Sequence, residues 1–203
     1  MRERFLKRSY ILFKRLHDTI TFTAIDPTQV SSTLSYGTYP TPFGRCLIVH
    51  HDNMLWSLSF FEEEQEETHL NNIKKEFPKR TWAHDPHGVT MLGEQIFSNL
   101  HDSIPMHGIL CGSPFQIAVW KQLFQIPSGT TMSYRKVAKD LAMPQATRAV
   151  AHAIGRNNIA YIVPCHRVIG SDGTLRGYRW GITCKKLILL HENAQILRSS
   201  KMI

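Results

Sequence analysis

A chain of 203 residues, 42% apolar and 20% charged, suits one domain or two small ones with a sizeable core, and so a soluble globular protein. No apolar run approaches the ~18 residues of a membrane span, and the apolar centre of the opening MRERFLKRSYILFKRLHD, Tyr10 to Phe13, is too short for a secretory signal, so no membrane association is expected and a cytoplasmic location is. The net charge of +8 is unevenly placed: residues 1–107 carry 11 Lys and Arg against 13 Asp and Glu, residues 108–203 carry 13 against 3, and this asymmetry points to a polyanion, most often nucleic acid.

In chain order, GRCLIVH (44–50) and MLWSLSFF (54–61) flank HDN and predict two apolar-alternating strands joined as a hairpin. His50 and His51 lie beside that turn, where solvent exposure is expected rather than metal binding. EEEQEE (62–67) reads as a solvated acidic run, whereas THLNNIKKEF (68–77) and VTMLGEQIFSNL (89–100) have helical spacing. The first half is therefore expected to be a small α+β unit. No linker rich in Pro, Gly or Ser and no repeat separates it from the second half of the chain.

The segment PFQIAVWKQLFQI (114–126) places Phe115, Val119, Leu123 and Phe124 on one helical stripe, with Pro114 in the first turn, and predicts a core helix. Ser133 is placed to cap a helix carrying Val137, Ala138 and Leu141. Met143-Pro144 interrupts it, and Ala146, Ala149, Val150, Ala153 and Ile154 form a second apolar stripe. Two short helices across a tight turn are a helix-turn-helix candidate, with an ordinary packed helical hairpin as the alternative. The second helix is rich in small residues that let a backbone approach a partner closely, and Arg148 projects from its first turn off the apolar stripe.

Asn157-Asn158 breaks the helical period, and IAYIV (159–163) is expected as a short buried strand ending at Pro164. The chain thus runs from the second helix straight to PCHRV (164–168). In an extended segment neighbouring side chains point to opposite faces, so His166 reaches the Cys165 sulfur only through a water or a turn. The four cysteines, Cys46, Cys111, Cys165 and Cys184, show neither CxxC spacing nor clustering; no disulfide framework, no zinc site and no other metal or cofactor is expected.

PCHRV, followed by GYRWG and preceded by SY and RAV, resembles the O6-alkylguanine-DNA alkyltransferases over roughly residues 34 to 195, most strongly from Gly112 to Glu192. The resemblance implies an α+β protein in three parts: an extension, 1–33, of unstated role; a ribonuclease H-like domain, 34–107, with a small antiparallel sheet and helices; and a mainly helical domain, 108–203, that contains the helix-turn-helix and binds DNA. It implies that Cys165 accepts the alkyl group, that His166 is the base reaching it through water, and that Glu192 orients and charge-balances the histidine, in a logic similar to a hydrolase triad. Asn157 is implied as the hinge between recognition helix and site. Tyr134 is implied to turn the target phosphate and hydrogen-bond the base, and Arg148 to enter the duplex where the flipped guanine had stacked. Arg135, Lys136, Ala149 and Ala151 complete the implied DNA contacts, while Val168, Tyr178, Arg179 and Trp180 border the base pocket, the last two bulky enough to disfavour large substituents.

The implied reaction is in-line displacement of a methyl or small alkyl group from O6 of guanine, and of O4 of thymine, in double-stranded DNA. It requires a soft thiolate, a donor to the departing oxygen and extrusion of the base. The thioether formed has no easy leaving group, so one molecule repairs one lesion. A monomer with no obligate protein partner is expected, and self-regulated transcription is not. Two other classes use parts of the same pattern: a sequence-specific transcription regulator needs the helix pair without the chemistry, and a Cys-His hydrolase turns over repeatedly.

Overall fold

The structure is a computed structural model that describes residues 13–14, 20–25, 33–97 and 106–192. The described residues fall into two compact units that divide between Ser113 and Pro114, with Pro42–Gly44 belonging to the second. Both units mix strands and helices, so the α+β class holds.

The first unit is a seven-stranded sheet formed by β1 (Phe13–Lys14), β2 (Ile20–Ile25), β3 (Thr33–Thr41), β4 (Gly44–His51), β5 (Met54–Phe61), β6 (Thr81–His84) and β7 (Met106–Cys111), in the order β1-β2-β7-β5-β4-β3-β6. It carries α1 (Glu66–Glu76) between β5 and β6 and α2 (Pro86–Phe97) between β6 and β7. The predicted hairpin is present: β4 and β5 pair antiparallel with His51 opposite Met54, and Asp52 and Asn53 turn the chain at φ 48° and 61°. Asx residues tolerate that left-handed conformation, and two of them in succession match the twist of the flanking strands.

Two expectations for this unit change. The sheet is mixed rather than antiparallel, because β7 pairs parallel with both β2 and β5, and β3 pairs parallel with β6. Connections through α1 and α2 are long enough to bring the chain back in the same direction, which a two-residue hairpin cannot do. His50 is buried rather than exposed, at 3% accessibility, with Nε2 3.3 Å from Asp85 Oδ2. A register shift follows Val49, and Gly88 leaves room for the ring, since a Cβ there would stand 2.9 Å from it. Burial lowers the pKa of His50 against the opposing pull of Asp85. The core between sheet and helix α1 gathers Leu34, Leu47, Val49, Trp56, Ile73, Phe77 and Ile109. β1 and β2 come from the segment assigned no role from sequence; the rest of that leader, and the expected helical end at Ser98–Leu100, lie outside the described residues.

The second unit comprises α3 (Pro114–Leu123), α4 (Tyr134–Asp140), α5 (Thr147–Gly155), α6 (Ile182–His191) and a two-stranded parallel ribbon of β8 (Met132–Ser133) and β9 (Val168–Ile169). Helix α3 buries Ile117, Val119, Trp120 and Leu123, and the indole of Trp120 donates to the Ala153 carbonyl at 2.8 Å, fastening α3 to α5. Phe115 is only half-buried. Ser133 caps α4 as expected, its hydroxyl accepting from the Lys136 N–H at 3.2 Å. Ala142, at φ 58°, ends that helix and a 3-10 turn at Pro144–Ala146 leads into α5.

On α5, Val150, Ala153 and Ile154 face the core, whereas Ala149 is exposed beside Arg148. The expected strand at IAYIV is instead a compact turn: Tyr161 sits at φ 63°, Ile162 N–H bonds the Ala160 carbonyl and Val163 N–H that of Ile159. Its backbone groups are claimed locally and by the Asn157 side chain, so none is left for a sheet partner.

Ser133 sets where α4 begins and hence where Tyr134 stands. Ser133→Ala is expected to lower stability by about 1 kcal/mol. The check is a shift of the urea midpoint at unchanged slope.

Candidate active site

Cys165 opens a single 3-10 turn, Cys165–Arg167, that Pro164 introduces and β9 follows. The thiol is 4% accessible, and the Asn157 carboxamide donates to its sulfur at 3.1 Å. Burial pushes the thiol up to about 11, against smaller opposing pulls from that hydrogen bond and from Lys185 and Arg179. At neutral pH it rests protonated and its nucleophilicity depends on a base. Cys184, also buried, is pushed up to about 12.

His166 is fully buried, stacked beside Tyr161 with ring centroids 6.2 Å apart. Its Nε2 lies 3.1 Å from Glu192 Oε1, and its Nδ1 has no hydrogen-bond partner within the protein. Burial lowers its pKa despite Glu192, so the ring is neutral. With an ionised carboxylate at Nε2, the proton sits there and Nδ1 presents a lone pair. Glu192 receives more than the histidine: Arg167 donates from Nη2 to Oε1 at 2.6 Å and from Nε to Oε2 at 3.0 Å, while its Nη1 holds the Ile126 carbonyl at 2.6 Å. Burial raises the carboxyl, but the bonds from His166 and Arg167 together outweigh it and hold Glu192 at about 2. Glu192 follows α6 directly, and its carbonyl abuts the turn at Gly129, where φ is 75° and a Cβ would stand 2.9 Å from that oxygen.

The sulfur borders a cavity of about 340 Å³. Of the residues singled out from sequence, Tyr134, Ala151, Cys165, Tyr178 and Arg179 line it. Ile154, Gly155, Arg176 and Gly177 line it as well. Burial raises the pKa of both Tyr134 and Tyr178, with Cys165 adding to each, so both hydroxyls remain proton donors. Asn157 is buried outside the cavity wall, and its backbone carbonyl accepts from Arg179 Nη1 at 3.1 Å.

Val168 is buried and absent from the lining; its carbonyl accepts from Lys185 Nζ at 2.6 Å. Trp180 is likewise absent from the lining and packs edge-on against Tyr178 at 5.1 Å. Arg135, Lys136, Arg148 and Ala149 are exposed on the outer sides of α4 and α5, with Lys136 paired to Asp140 one turn on.

Three participants escaped sequence reasoning. Arg167 lies inside PCHRV and reads as a surface charge until its partner at 192 is known. Lys185 is fully buried and also reaches the Arg176 carbonyl at 3.4 Å. Its signal was available: Cys184, Lys185, Ile188 and Leu189 share one buried stripe, so a lysine occupies an apolar position. Arg176 carries no periodic signal, because it stands in a loop.

A buried thiol held by a carboxamide, with a neutral histidine and an ionised glutamate beside it and a cavity in front, defines a nucleophilic thiol site in a basic, mainly helical unit. The family model described as "6-O-methylguanine DNA methyltransferase, DNA binding domain" matches residues 114–194. The methylated-DNA–protein-cysteine methyltransferase of Mycobacterium bovis is 36% identical over 166 residues, 80% of this chain and 94% of that one. That of Shigella flexneri is 37% identical over 163 residues, 77% and 94% of the two chains. The crystal structure of Mycobacterium tuberculosis OGT in complex with DNA superposes with a TM-score of 0.61 at 33% identity, covering 79% of this chain and 92% of that one. The chain belongs to the 6-O-methylguanine DNA methyltransferase family.

The Glu192 network sets a pH dependence with a definite sign. The carboxyl falls from an ordinary 4.5 to about 2 on folding, so its contribution is complete above pH 4.5 and is lost as pH drops toward 2. Its full size is about 3 kcal/mol. Glu192→Gln is expected to be less stable at neutral pH, because buried Arg167 loses its counter-charge, and to lack this share of the acid-induced decline. Urea midpoints of both proteins measured from pH 5 downward check it.

Proposed function

We propose that this protein repairs DNA directly, by transferring a methyl or small alkyl group from O6 of guanine, and from O4 of thymine, to Cys165. The observation that carries the proposal is the buried Cys165 thiol, bonded by Asn157 and open to a cavity that two tyrosine hydroxyl-bearing rings line. Family membership and a DNA complex of the M. tuberculosis relative support the substrate. In the proposed step His166 Nδ1 takes the thiol proton through a bridging water. The thiolate attacks the alkyl carbon, the S–C bond forms as C–O6 breaks, and guanine departs with the electron pair while a hydroxyl, Tyr134, donates to the base. The thioether is stable, so each molecule acts once.

In this proposal α4 and α5 are a helix-turn-helix, within a DNA-binding domain that begins near residue 108 and follows a ribonuclease H-like domain from residue 34. Exposed Arg135, Lys136 and Ala149, with Ala151, meet the duplex, and Arg148 fills the gap left by the extruded base. A monomer suffices, because every group in the proposed chemistry belongs to one chain. Four free thiols fit a reducing, cytoplasmic compartment.

Intact-protein mass after mixing with DNA containing O6-methylguanine is expected to rise by one methyl at one equivalent, mapping to Cys165. Label on Cys46, Cys111 or Cys184 alone would sink the proposal. Cys165→Ala should abolish transfer and keep affinity for the lesion duplex. Arg148→Ala separates extrusion from chemistry: transfer from a lesion in duplex DNA should slow at least tenfold more than transfer from the free base, which leaves no gap to fill. Equal slowing on both substrates would assign Arg148 a structural task.

A further inference from the structure

Two guanidinium groups stand on the wall of the Cys165 cavity, Arg176 and Arg179, and no carboxylate lines it. Both are held in place. Arg176 Nη2 bonds Asp172 Oδ2 at 2.6 Å, and Asp172 is itself braced by the Thr174 hydroxyl at 2.7 Å. The Arg176 carbonyl accepts from buried Lys185. Arg179 bonds the Asn157 carbonyl and lies over the Trp180 ring, with Cζ 5.8 Å from its centroid. The charge is felt inside: Arg179 and Lys185 favour the Cys165 thiolate, and Arg176 favours the ionised form of Tyr134. Asp172 offsets part of the Arg176 charge, but its carboxylate sits outside the lining, with Arg176 between it and the cavity.

Transfer of an uncharged alkyl group makes little use of this arrangement. A substituent bearing its own negative charge next to the transferred carbon does, because it must approach a sulfur that is itself becoming an anion. Cationic groups on the cavity wall relieve that repulsion in the transition state, where thiolate and substituent are closest.

We infer that Arg176, aided by Arg179, is a specificity-determining residue that extends the substrate range to guanines carrying an anionic O6 substituent of the carboxymethyl class. The inference rests on the proposed alkyl transfer to Cys165. Balanced as before, the thiolate attacks the methylene carbon, S–C forms and C–O6 breaks. The product is S-carboxymethyl-Cys165 and a guanine that keeps the electron pair and regains a proton.

The test uses the full chain, saturating duplex DNA and two lesions of nearly equal shape, O6-carboxymethylguanine and its uncharged amide, O6-carbamoylmethylguanine. The intrinsic difference in carbon reactivity cancels when the ratio of their single-turnover rates is compared between proteins. Arg176→Gln is expected to lower the carboxymethyl-to-carbamoylmethyl ratio about fivefold, the effect of one charge a few ångströms away in a half-solvated site. Arg176→Lys should keep it close to that of the parent. The free bases should reproduce the change, which separates charge at the substituent from contact with a DNA phosphate. An unchanged ratio in Arg176→Gln, or an equal fall in Arg176→Lys and Arg176→Gln, would overturn the inference. Parent protein that fails to take a methyl from O6-methylguanine would instead overturn the underlying transfer.

Discussion

Everything at the thiol depends on the side chain of Asn157. One carboxamide, 1% accessible, accepts from the Ile159 N–H at 2.9 Å and donates to the carbonyls of Ile159 and Val163 and to the Cys165 sulfur. Its own backbone carbonyl receives Arg179. It follows α5 closely, so a single buried residue joins the helix that carries Arg148 to the turn that carries the nucleophile and to the cavity wall. An aspartate at this place would offer no donor to sulfur and would bring a second buried negative charge toward a forming thiolate. A leucine would leave three backbone groups of the turn unpaired at about 1–3 kcal/mol each.

That constraint explains why the site combines a reluctant thiol with an elaborate base. Burial alone would keep Cys165 neutral and inert, and the carboxamide, Lys185 and Arg179 recover only part of the cost. The rest falls to His166, kept neutral and in one tautomer by Glu192. Glu192 in turn tolerates burial because Arg167 gives it two parallel hydrogen bonds in addition to the one from histidine. In the proposed reaction this arrangement withholds thiolate character until a lesion occupies the cavity. A reagent used once gains from such restraint, since oxidation of an exposed thiolate would destroy the acceptor before any repair.

Much of this was legible in the residues. Ser133 announced its cap, Asp52-Asn53 its turn, and the stripes on α4 and α5 their helices, because these signals are local and depend on a few neighbouring dihedral angles. Strands β3, β6 and β7 were not recognised. TLSYGTYPT contains both Gly37 and Pro40, and TWAH is four residues long, so neither presents a clean period of two. Their place is decided by partners distant in sequence, which also makes the sheet mixed. IAYIV failed in the opposite sense: its composition is that of a buried strand, yet the carboxamide two residues upstream supplies the hydrogen bonds a strand would otherwise seek. The candidate site divides the same way. Cys165, His166, Asn157 and Glu192 were singled out through a motif, whereas Arg167, Lys185 and Arg176 gain meaning only when the carboxylate, the β9 carbonyl and the cavity they serve are in place.

The charge asymmetry of the chain has two distinct uses once the side chains are located. Arg135 and Arg148 lie exposed on helices, where a cation is strongly screened and suits a polyanion that brings many phosphates at once. Arg167 and Lys185 are buried and bound to a carboxylate or to backbone carbonyls, so they organise the protein and contribute nothing to long-range attraction. Arg176 and Arg179 stand between these extremes, tethered at a cavity mouth where solvent screening is incomplete. Net charge therefore points toward DNA through the first group alone; the second holds the catalytic geometry, and the third bears on which substituent the cavity admits.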